Sequence, residues 1–281
     1  MPYPIISKEQ LSDTVYSVRL KAPQVAREAL AGQFVILRID ETGERFPLTL
    51  CDWSPGDEWI YLVFQVVGRS TLKLSRLAAG DAVRDVVGPL GIPSEIDSYG
   101  KVICVGGGVG IAAIYPICKA LKRAGNQVVS IIGARSADLL ILEEEMDQVS
   151  ERLILVTDDG SKGKKGLVTW ALEEELKAGG ADLVIAIGPA VMMKFASAVT
   201  RPFGIPTRVS LNSIMLDGTG MCGTCRVEVG GKTRFACVDG PEFDGHQVDW
   251  NLLLDRLSQY KEEEKIAMDL VDADSDDLLS T

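Results

Sequence analysis

The sequence predicts two unlike domains in tandem, an antiparallel all-β domain and then an α/β domain on a parallel sheet, with a compact cysteine-bearing segment behind them. Three observations predict it. Alternating strand-like runs fill residues 1–99. From Lys101 short apolar runs alternate with helical stretches. Three of the six cysteines then crowd into a glycine-rich stretch beyond Ser213.

In the first part, Val15-Tyr16-Ser17-Val18-Arg19-Leu20 and the run from Phe34 to Ile39 carry strand character, and Trp59 to Val67 is a long β-branched and aromatic run. Turn residues such as Ser54-Pro55-Gly56-Asp57 separate them. Short strands at this spacing indicate a sandwich or a small barrel.

Residues 100–210 read differently. Val102–Val105, Val128–Ile132, Leu153–Val156 and Leu183–Ile187 are apolar runs, separated by helical stretches near Ile111–Arg123, Asp138–Val149 and Leu167–Lys177. Strands alternating with helices imply a doubly wound parallel sheet. Residues 211–248 form the cysteine segment and 249–281 a C-terminal helix and acidic tail. The helix is expected over Asp249–Tyr260, with Leu252, Leu253 and Leu257 on one side.

The net charge is −11, and Lys261–Thr281 alone carries −6 of it. The body is therefore close to ordinary, and the tail is read as a solvated segment. Nucleic-acid binding needs basic stripes that displace counterions from phosphates, so it is not expected. No run approaches the roughly 20 apolar residues of a membrane span. Met1-Pro2-Tyr3-Pro4 lacks the basic and apolar regions of a signal peptide, so a cytoplasmic location is expected. The single histidine, His246, excludes a two-histidine Rieske centre and a zincin helix; it is expected at the surface.

The cysteine segment reads Asp217-Gly218-Thr219-Gly220-Met221-Cys222-Gly223-Thr224-Cys225, with Cys237 beyond. Plant-type ferredoxins use C-x4-C-x2-C and a distant cysteine to hold a 2Fe-2S cluster. The same frame is present here with Asp217 at the first position. Glycines let backbone wrap closely and turn amides inward. Three core cysteines are a poor alternative, since the loop lacks apolar neighbours. A zinc site of Asp217, Cys222, Cys225 and Cys237 stays open, because zinc accepts carboxylate with thiolates. Cys51, Cys104 and Cys118 lie in or beside apolar runs and are expected in the core.

Gly106-Gly107-Gly108-Val109-Gly110-Ile111 follows a strand and opens a helix, the context in which glycines admit a pyrophosphate. Arg135 after the second strand suits a 2′-phosphate, a pyrophosphate or plain solvent. Asp158 and Asp159 after the third strand, and Gly188-Pro189 after the fourth, fall at the same sheet edge. In the first domain, Arg45-Phe46-Pro47-Leu48-Thr49 offers a guanidinium for a diphosphate and backbone for a flavin ring edge. Gly68-Arg69-Ser70-Thr71 opens a helix that Ser70 or Thr71 would cap. Ordinary strand, turn and cap chemistry accounts equally for either motif taken singly.

The order of these parts resembles the ferredoxin–NADP reductase superfamily, with a flavin-binding β-barrel followed by an α/β nucleotide domain. With the cluster segment appended, it resembles the electron-transfer subunit of class B dihydroorotate dehydrogenase. It resembles still more the small subunit of NADH-dependent reduced ferredoxin:NADP oxidoreductase, an electron-bifurcating flavoenzyme. The aspartate distinguishes them: the dihydroorotate subunit typically has cysteine there, whereas the bifurcating subunit has a similar Asp-Gly-Thr-Gly-Met-Cys-Gly stretch.

The resemblance implies FAD at Arg45, Pro47, Leu48, Thr49, Gln65, Val66, Gly68, Ser70 and Thr71. It implies NAD(H), with NADP(H) as the alternative, at Gly106, Gly107, Gly108, Val109, Gly110, Ile111, Arg135, Asp158, Asp159, Gly188 and Pro189. A 2Fe-2S cluster on Asp217, Cys222, Cys225 and Cys237 would relay electrons to a larger flavin/4Fe-4S partner subunit, and through that complex to ferredoxin. No side chain need act as a catalytic acid or base.

Overall fold

The computed structural model describes residues 2–268; the end of the acidic tail, residues 269–281, lies outside the described residues. The first part comprises β1 (Tyr3–Gln10), β2 (Val15–Lys21), α1 (Pro23–Glu28), β3 (Phe34–Arg38), β4 (Arg45–Ser54), β5 (Trp59–Gln65), α2 (Arg69–Arg76), β6 (Ala82–Val83) and β7 (Asp85–Leu90). Its strands form one seven-stranded sheet in the order β6-β1-β2-β5-β4-β3-β7. Every pairing is antiparallel. The two end strands are joined through Arg84, whose amide donates to the Ile39 carbonyl at 3.0 Å. A sheet whose edges belong to one continuous stretch of chain must curl, and the result is a near-closed barrel. Val18, Leu20, Val35, Leu37, Leu50, Leu62 and Phe64 fill it.

The second part comprises β8 (Lys101–Gly107), α3 (Gly110–Arg123), β9 (Gln127–Ala134), α4 (Glu143–Gln148), β10 (Arg152–Thr157), β11 (Lys164–Lys165), α5 (Val168–Gly179), β12 (Leu183–Ile187), α6 (Ala190–Thr200) and β13 (Thr207–Ser210). The helix expected over Asp138–Val149 is broken. A single 3-10 turn covers Ala137–Leu139, Leu142 takes a left-handed φ of 54°, and α4 starts after it. Leu140 and Ile141 between them are buried. The chain leaves helical geometry to insert both into the core.

The third part comprises β14 (Arg226–Val229), β15 (Lys232–Phe235), α7 (Ala236–Asp239), β16 (Glu242–Asp244) and α8 (Trp250–Ser258). The second sheet runs β11-β10-β9-β8-β12-β13-β16, and only β16 is antiparallel to its neighbour. The cysteine segment is thus stitched into the parallel sheet by its own strand. The C-terminal helix follows the expected span to within two residues at either end, with Asp249 as its N-cap. Leu253 is buried and Leu254 and Leu257 pack beside it, but Leu252 is 42% exposed. His246 is half-buried rather than fully exposed. Its side chain is 18% exposed, and Nε2 lies 2.9 Å from the Thr200 hydroxyl, so it ties β16's flank to α6.

Cys51, Cys104 and Cys118 are buried. No helix among the described residues is long and apolar enough to cross a membrane.

Strand β3 reads Phe-Val-Ile-Leu because both its faces are covered. Val35 and Leu37 point into the barrel, whereas Phe34 and Ile36 join the core that the parallel sheet shares with the cysteine segment. Ile36→Ala is expected to destabilise the protein by about 2–5 kcal/mol. Ile6→Ala, at a position 47% exposed, is expected to stay within about 0.5 kcal/mol of the parent. Thermal unfolding of the two variants measures the difference.

Candidate functional site

The barrel sheet splits between two of its neighbours. Residues Leu50–Ser54 of β4 pair with β5, but Arg45–Thr49 pair only with β3. Leu50 donates its amide to the Gln33 carbonyl at 3.0 Å. By antiparallel alternation, Leu48 and Phe46 also spend their backbone groups on β3, while Arg45, Pro47 and Thr49 turn theirs to the split. This refines the expectation for the motif: Thr49 offers a free backbone donor, and Leu48 does not. It also explains a proline in mid-strand, since Pro47 has no amide to leave unpaired there.

At the β5 end, the Val66 amide donates to Thr14 O at 2.8 Å, and the Gln65 side chain reaches the Thr14 hydroxyl at 3.3 Å. Of the two expected caps, Thr71 is the one used. Thr71 Oγ1 accepts from the amides of Val67 and Gly68 at 3.0 and 3.1 Å. Ser70 instead donates to Glu44 at 3.0 Å. Arg45 is exposed. Arg69, which sequence reasoning passed over although it stands inside the Gly-Arg-Ser-Thr stretch, buries its Nε with no hydrogen-bond partner. Such an orphaned donor is costly unless a ligand accepts from it. An open backbone edge and a buried, unsatisfied guanidinium nitrogen at α2's first residue fit a flavin ring and its diphosphate.

The predicted nucleotide residues come together at the carboxyl edge of the second sheet. There β8 lies between β9 and β12, and the chain winds outward on both sides, so this edge is the topological switch point where ligands bind. Gly108 takes a φ of +55° and a Cβ placed on it would meet nothing within 4 Å, so this turn faces open space. A Cβ on Gly110 would lie 2.4 Å from the Ile187 carbonyl oxygen, and one on Gly107 3.4 Å from Pro189. The Gly106–Gly110 loop is thereby pressed against Gly188-Pro189. Val109 caps α3, but Ile111 is fully buried and belongs to the core. Arg135, Asp158 and Asp159 stand exposed along the same edge. The Asp159 carboxyl is held below its ordinary range by hydrogen bonds from the Ser161 hydroxyl and amide, at 2.6 and 2.9 Å.

The cysteine loop gathers its predicted ligands as two pairs. Cys225 Sγ lies 3.2 Å from Cys237 Sγ. Asp217 accepts from the amides of Thr219 and Cys222, each at 2.9 Å. The Thr219 amide lowers the Asp217 pKa, a hydrogen bond with Thr224 lowers that of the exposed Cys222, and burial pushes Cys237 up to about 12. Among the described residues, no three His, Cys, Asp or Glu side chains converge on one point as a single ion requires. Two pairs suit a two-iron cluster, in which each iron takes two protein ligands, better than one tetrahedral zinc. The expectation that the loop lacks apolar context is corrected. Cys225 and Cys237 are 2% and 1% exposed and pack with Met215, Val227, Ala236 and Leu253. Hairpin β14–β15, which fills the stretch between Cys225 and Cys237, and helix α8 beyond it supply that cover.

Elements of the other two parts pack on the barrel strands around the split. On the β5 side, Val63 shares an apolar cluster with Ile111 and Ala112 of the glycine-loop helix. On the β4 side, Ile36 stands opposite Pro47. A Cβ on Gly218 of the cysteine loop would lie 2.8 Å from Ile36 Cγ1 and 2.6 Å from Leu90 Cδ1. Gly218 has a φ of +73°, so only glycine both takes this turn and admits the barrel wall. Two wider clefts, of about 550 and 460 Å3, flank Phe243 and contain none of the predicted site residues.

Residues 212–249 match the iron-sulfur cluster binding domain of dihydroorotate dehydrogenase B, and residues 104–198 match the oxidoreductase NAD-binding domain. A dihydroorotate dehydrogenase B (NAD(+)) electron transfer subunit homolog from Thermotoga maritima is 52% identical over 263 residues, covering 94% of this chain and 93% of its own. The electron transfer subunit from Geobacillus thermodenitrificans is 32% identical, covering 87% of this chain and 96% of its own. The chain belongs to the electron-transfer subunit family of dihydroorotate dehydrogenase B.

A chain in the solved structure of NADH-dependent reduced ferredoxin-NADP oxidoreductase, a flavin-based electron-bifurcating system, superposes with a TM-score of 0.92 at 48% identity, covering 96% of this chain and 98% of that one. A more distant match, Amycolatopsis cytochrome P450 reductase, has a TM-score of 0.61 at 23% identity and shares the fold. Family membership makes the chain an oxidoreductase subunit with a flavin-type barrel, an NAD-binding sheet and an iron–sulfur segment. As an electron-transfer subunit, it works within a heteromeric assembly.

Cys225→Ala is expected to abolish cluster binding, read as loss of iron and of visible absorbance. Asp217→Cys is expected to keep a cluster but shift its reduction potential. Full iron content in Cys225→Ala would count against these ligands.

Proposed function

We propose that this chain passes electrons between NAD(H), FAD and a 2Fe-2S cluster to a larger flavin/4Fe-4S subunit in the cytoplasm, within flavin-based electron bifurcation involving ferredoxin and NADP. The observation that carries the reading is the barrel split, with the glycine-loop helix packed on β4 beyond it, where Lys119 pairs with Asp52, and the cysteine loop packed on β3 and β7 behind it. When bound, the flavin supplies the exchange between two-electron hydride chemistry and single-electron transfer that the cluster continues.

The protein's own contribution is position and electrostatics. Thr49 would hold the ring edge by its free amide, and Pro47 and Ile36 wall it from the cysteine loop. Arg69 and Arg45 would neutralise the diphosphate, with the first amides of α2 beside them. The open turn at Gly108 would receive the dinucleotide pyrophosphate, with Gly188-Pro189 as its floor. Asp158 and Asp159 at this edge disfavour a 2′-phosphate by like charge, which supports NAD(H) and leaves Arg135 to the pyrophosphate. On this reading residues 1–99 bind FAD, 100–210 bind NAD(H), 211–248 bind the cluster, and 249–281 are a C-terminal helix and acidic tail.

The Asp217 position supports the bifurcating assembly over a dihydroorotate one. The second reading, an electron-transfer subunit of dihydroorotate dehydrogenase, draws on the family match over residues 212–249. The large subunit that accompanies the chain through anaerobic purification decides between them. The isolated chain should carry about one flavin and about two irons, and NADH should bleach the flavin band. A colourless preparation would overturn the reading.

Arg69→Ala is expected to weaken FAD retention about 10- to 150-fold, the consequence of losing about 1.5–3 kcal/mol of charged hydrogen bonding. Fluorescence of released flavin on dilution measures it.

A further inference from the structure

Helix α8 lies outside the loop that carries the predicted ligands, yet one of its side chains reaches back into that loop. Arg256 Nη2 donates to the carbonyl of Thr224 at 3.0 Å, across 32 residues of sequence. Thr224 stands between Cys222 and Cys225. The helix that presents Arg256 is firmly held. Asp249 caps it by accepting from the Leu252 amide at 3.0 Å, and the Asp249 amide donates to Glu228 O of β14 at 2.9 Å. One turn before Arg256, Leu253 is buried in the cluster that contains Cys225 and Cys237. The guanidinium therefore has a fixed place, set by packing rather than by chance on a flexible surface.

Two consequences follow from elementary chemistry. The Thr224 carbonyl and the Cys225 amide belong to one planar trans peptide, so they point in opposite directions. Drawing the carbonyl towards Arg256 on α8 aims the Cys225 amide the opposite way, away from that helix. That amide has no protein acceptor among the described residues. The second consequence is electrostatic. A guanidinium stays charged at every accessible pH, and a fixed cation beside a centre that gains an electron favours the reduced state.

We propose that Arg256 is a positioning residue for the iron–sulfur site: by anchoring the Thr224 carbonyl it sets the Cys222–Cys225 turn so that the Cys225 amide faces the cluster, and its charge raises the cluster's reduction potential. The proposal rests on the cluster reading of this loop.

The test uses the full-length chain, purified anaerobically as wild type, Arg256→Gln and Arg256→Lys. Each is measured for iron content, thermal unfolding and midpoint potential by spectroscopic redox titration. The expected result is a lower potential in Arg256→Gln with unfolding close to wild type, and recovery of most of the shift in Arg256→Lys. Loss of iron from Arg256→Gln at unchanged unfolding temperature, restored in Arg256→Lys, equally supports the anchoring role. An unchanged potential and iron content in Arg256→Gln overturn the proposal. So does a parallel loss of stability and iron in both variants, which would make Arg256 a residue of the fold alone. Wild-type protein without iron overturns the cluster reading itself, a result distinguishable from the others.

Discussion

Strand β3 has no solvent face, and the site depends on that. Its Val35 and Leu37 close the barrel, while Phe34 and Ile36 are buried against the parallel sheet and the cysteine segment. Burying a side chain of this size contributes about 1.5–3 kcal/mol, so β3 is strongly held from both sides. Because Ile36 faces Pro47 across the strand pair and Gly218 across the domain boundary, one side chain sets the spacing between the barrel motif and the cysteine loop. A barrel free to tilt against the second sheet could not keep these two constant.

The split between β4 and β5 is the complement of that rigidity. A barrel normally satisfies all its backbone groups through its neighbours. Here β4 changes partner at Leu50, with an irregular register beside Cys51. It leaves Arg45–Thr49 one-sided, with β3 as their strand neighbour. The proline falls on the one-sided stretch and its missing amide on the open side. Local sequence and sheet topology agree there, which is the mark of a built feature rather than a defect.

Much of the site could be read from the sequence because its chemistry is carried by short segments. The glycine loop after β8, the Asp-x4-Cys-x2-Cys frame and the Arg-x-Pro-x-Thr stretch each span a few residues, and their spacing alone suggests phosphate, iron–sulfur and flavin chemistry. What the sequence left open or misplaced has a common cause. Ser70 and Thr71 are equally plausible caps in sequence, and only the position of Glu44, brought by a different loop, assigns Ser70 elsewhere. Ile111 looks like part of the phosphate loop until the helix phase turns it into the core. Leu252 lies on the expected apolar stripe, but α8 sits on β14 and α6 through Leu253 and Leu254 instead. Arg256 gives no local signal, because its partner is 32 residues away.

By itself the sequence determined the order of the domains, the alternation that makes one sheet antiparallel and the other parallel, and the residue types able to hold two nucleotides and a cluster. These are properties of periodicity and of short-range stereochemistry, which need no knowledge of distant contacts. Only the tertiary structure decided that Thr49 rather than Leu48 offers its amide, that Arg69 has a buried nitrogen without a partner, and that β16 stitches the cysteine segment into the parallel sheet. It alone decided that the same Ile36 stands behind both the flavin motif and the cysteine loop. Those facts depend on which segments pack together across the chain, and packing between remote segments is settled by the whole core at once, not by any stretch of residues alone.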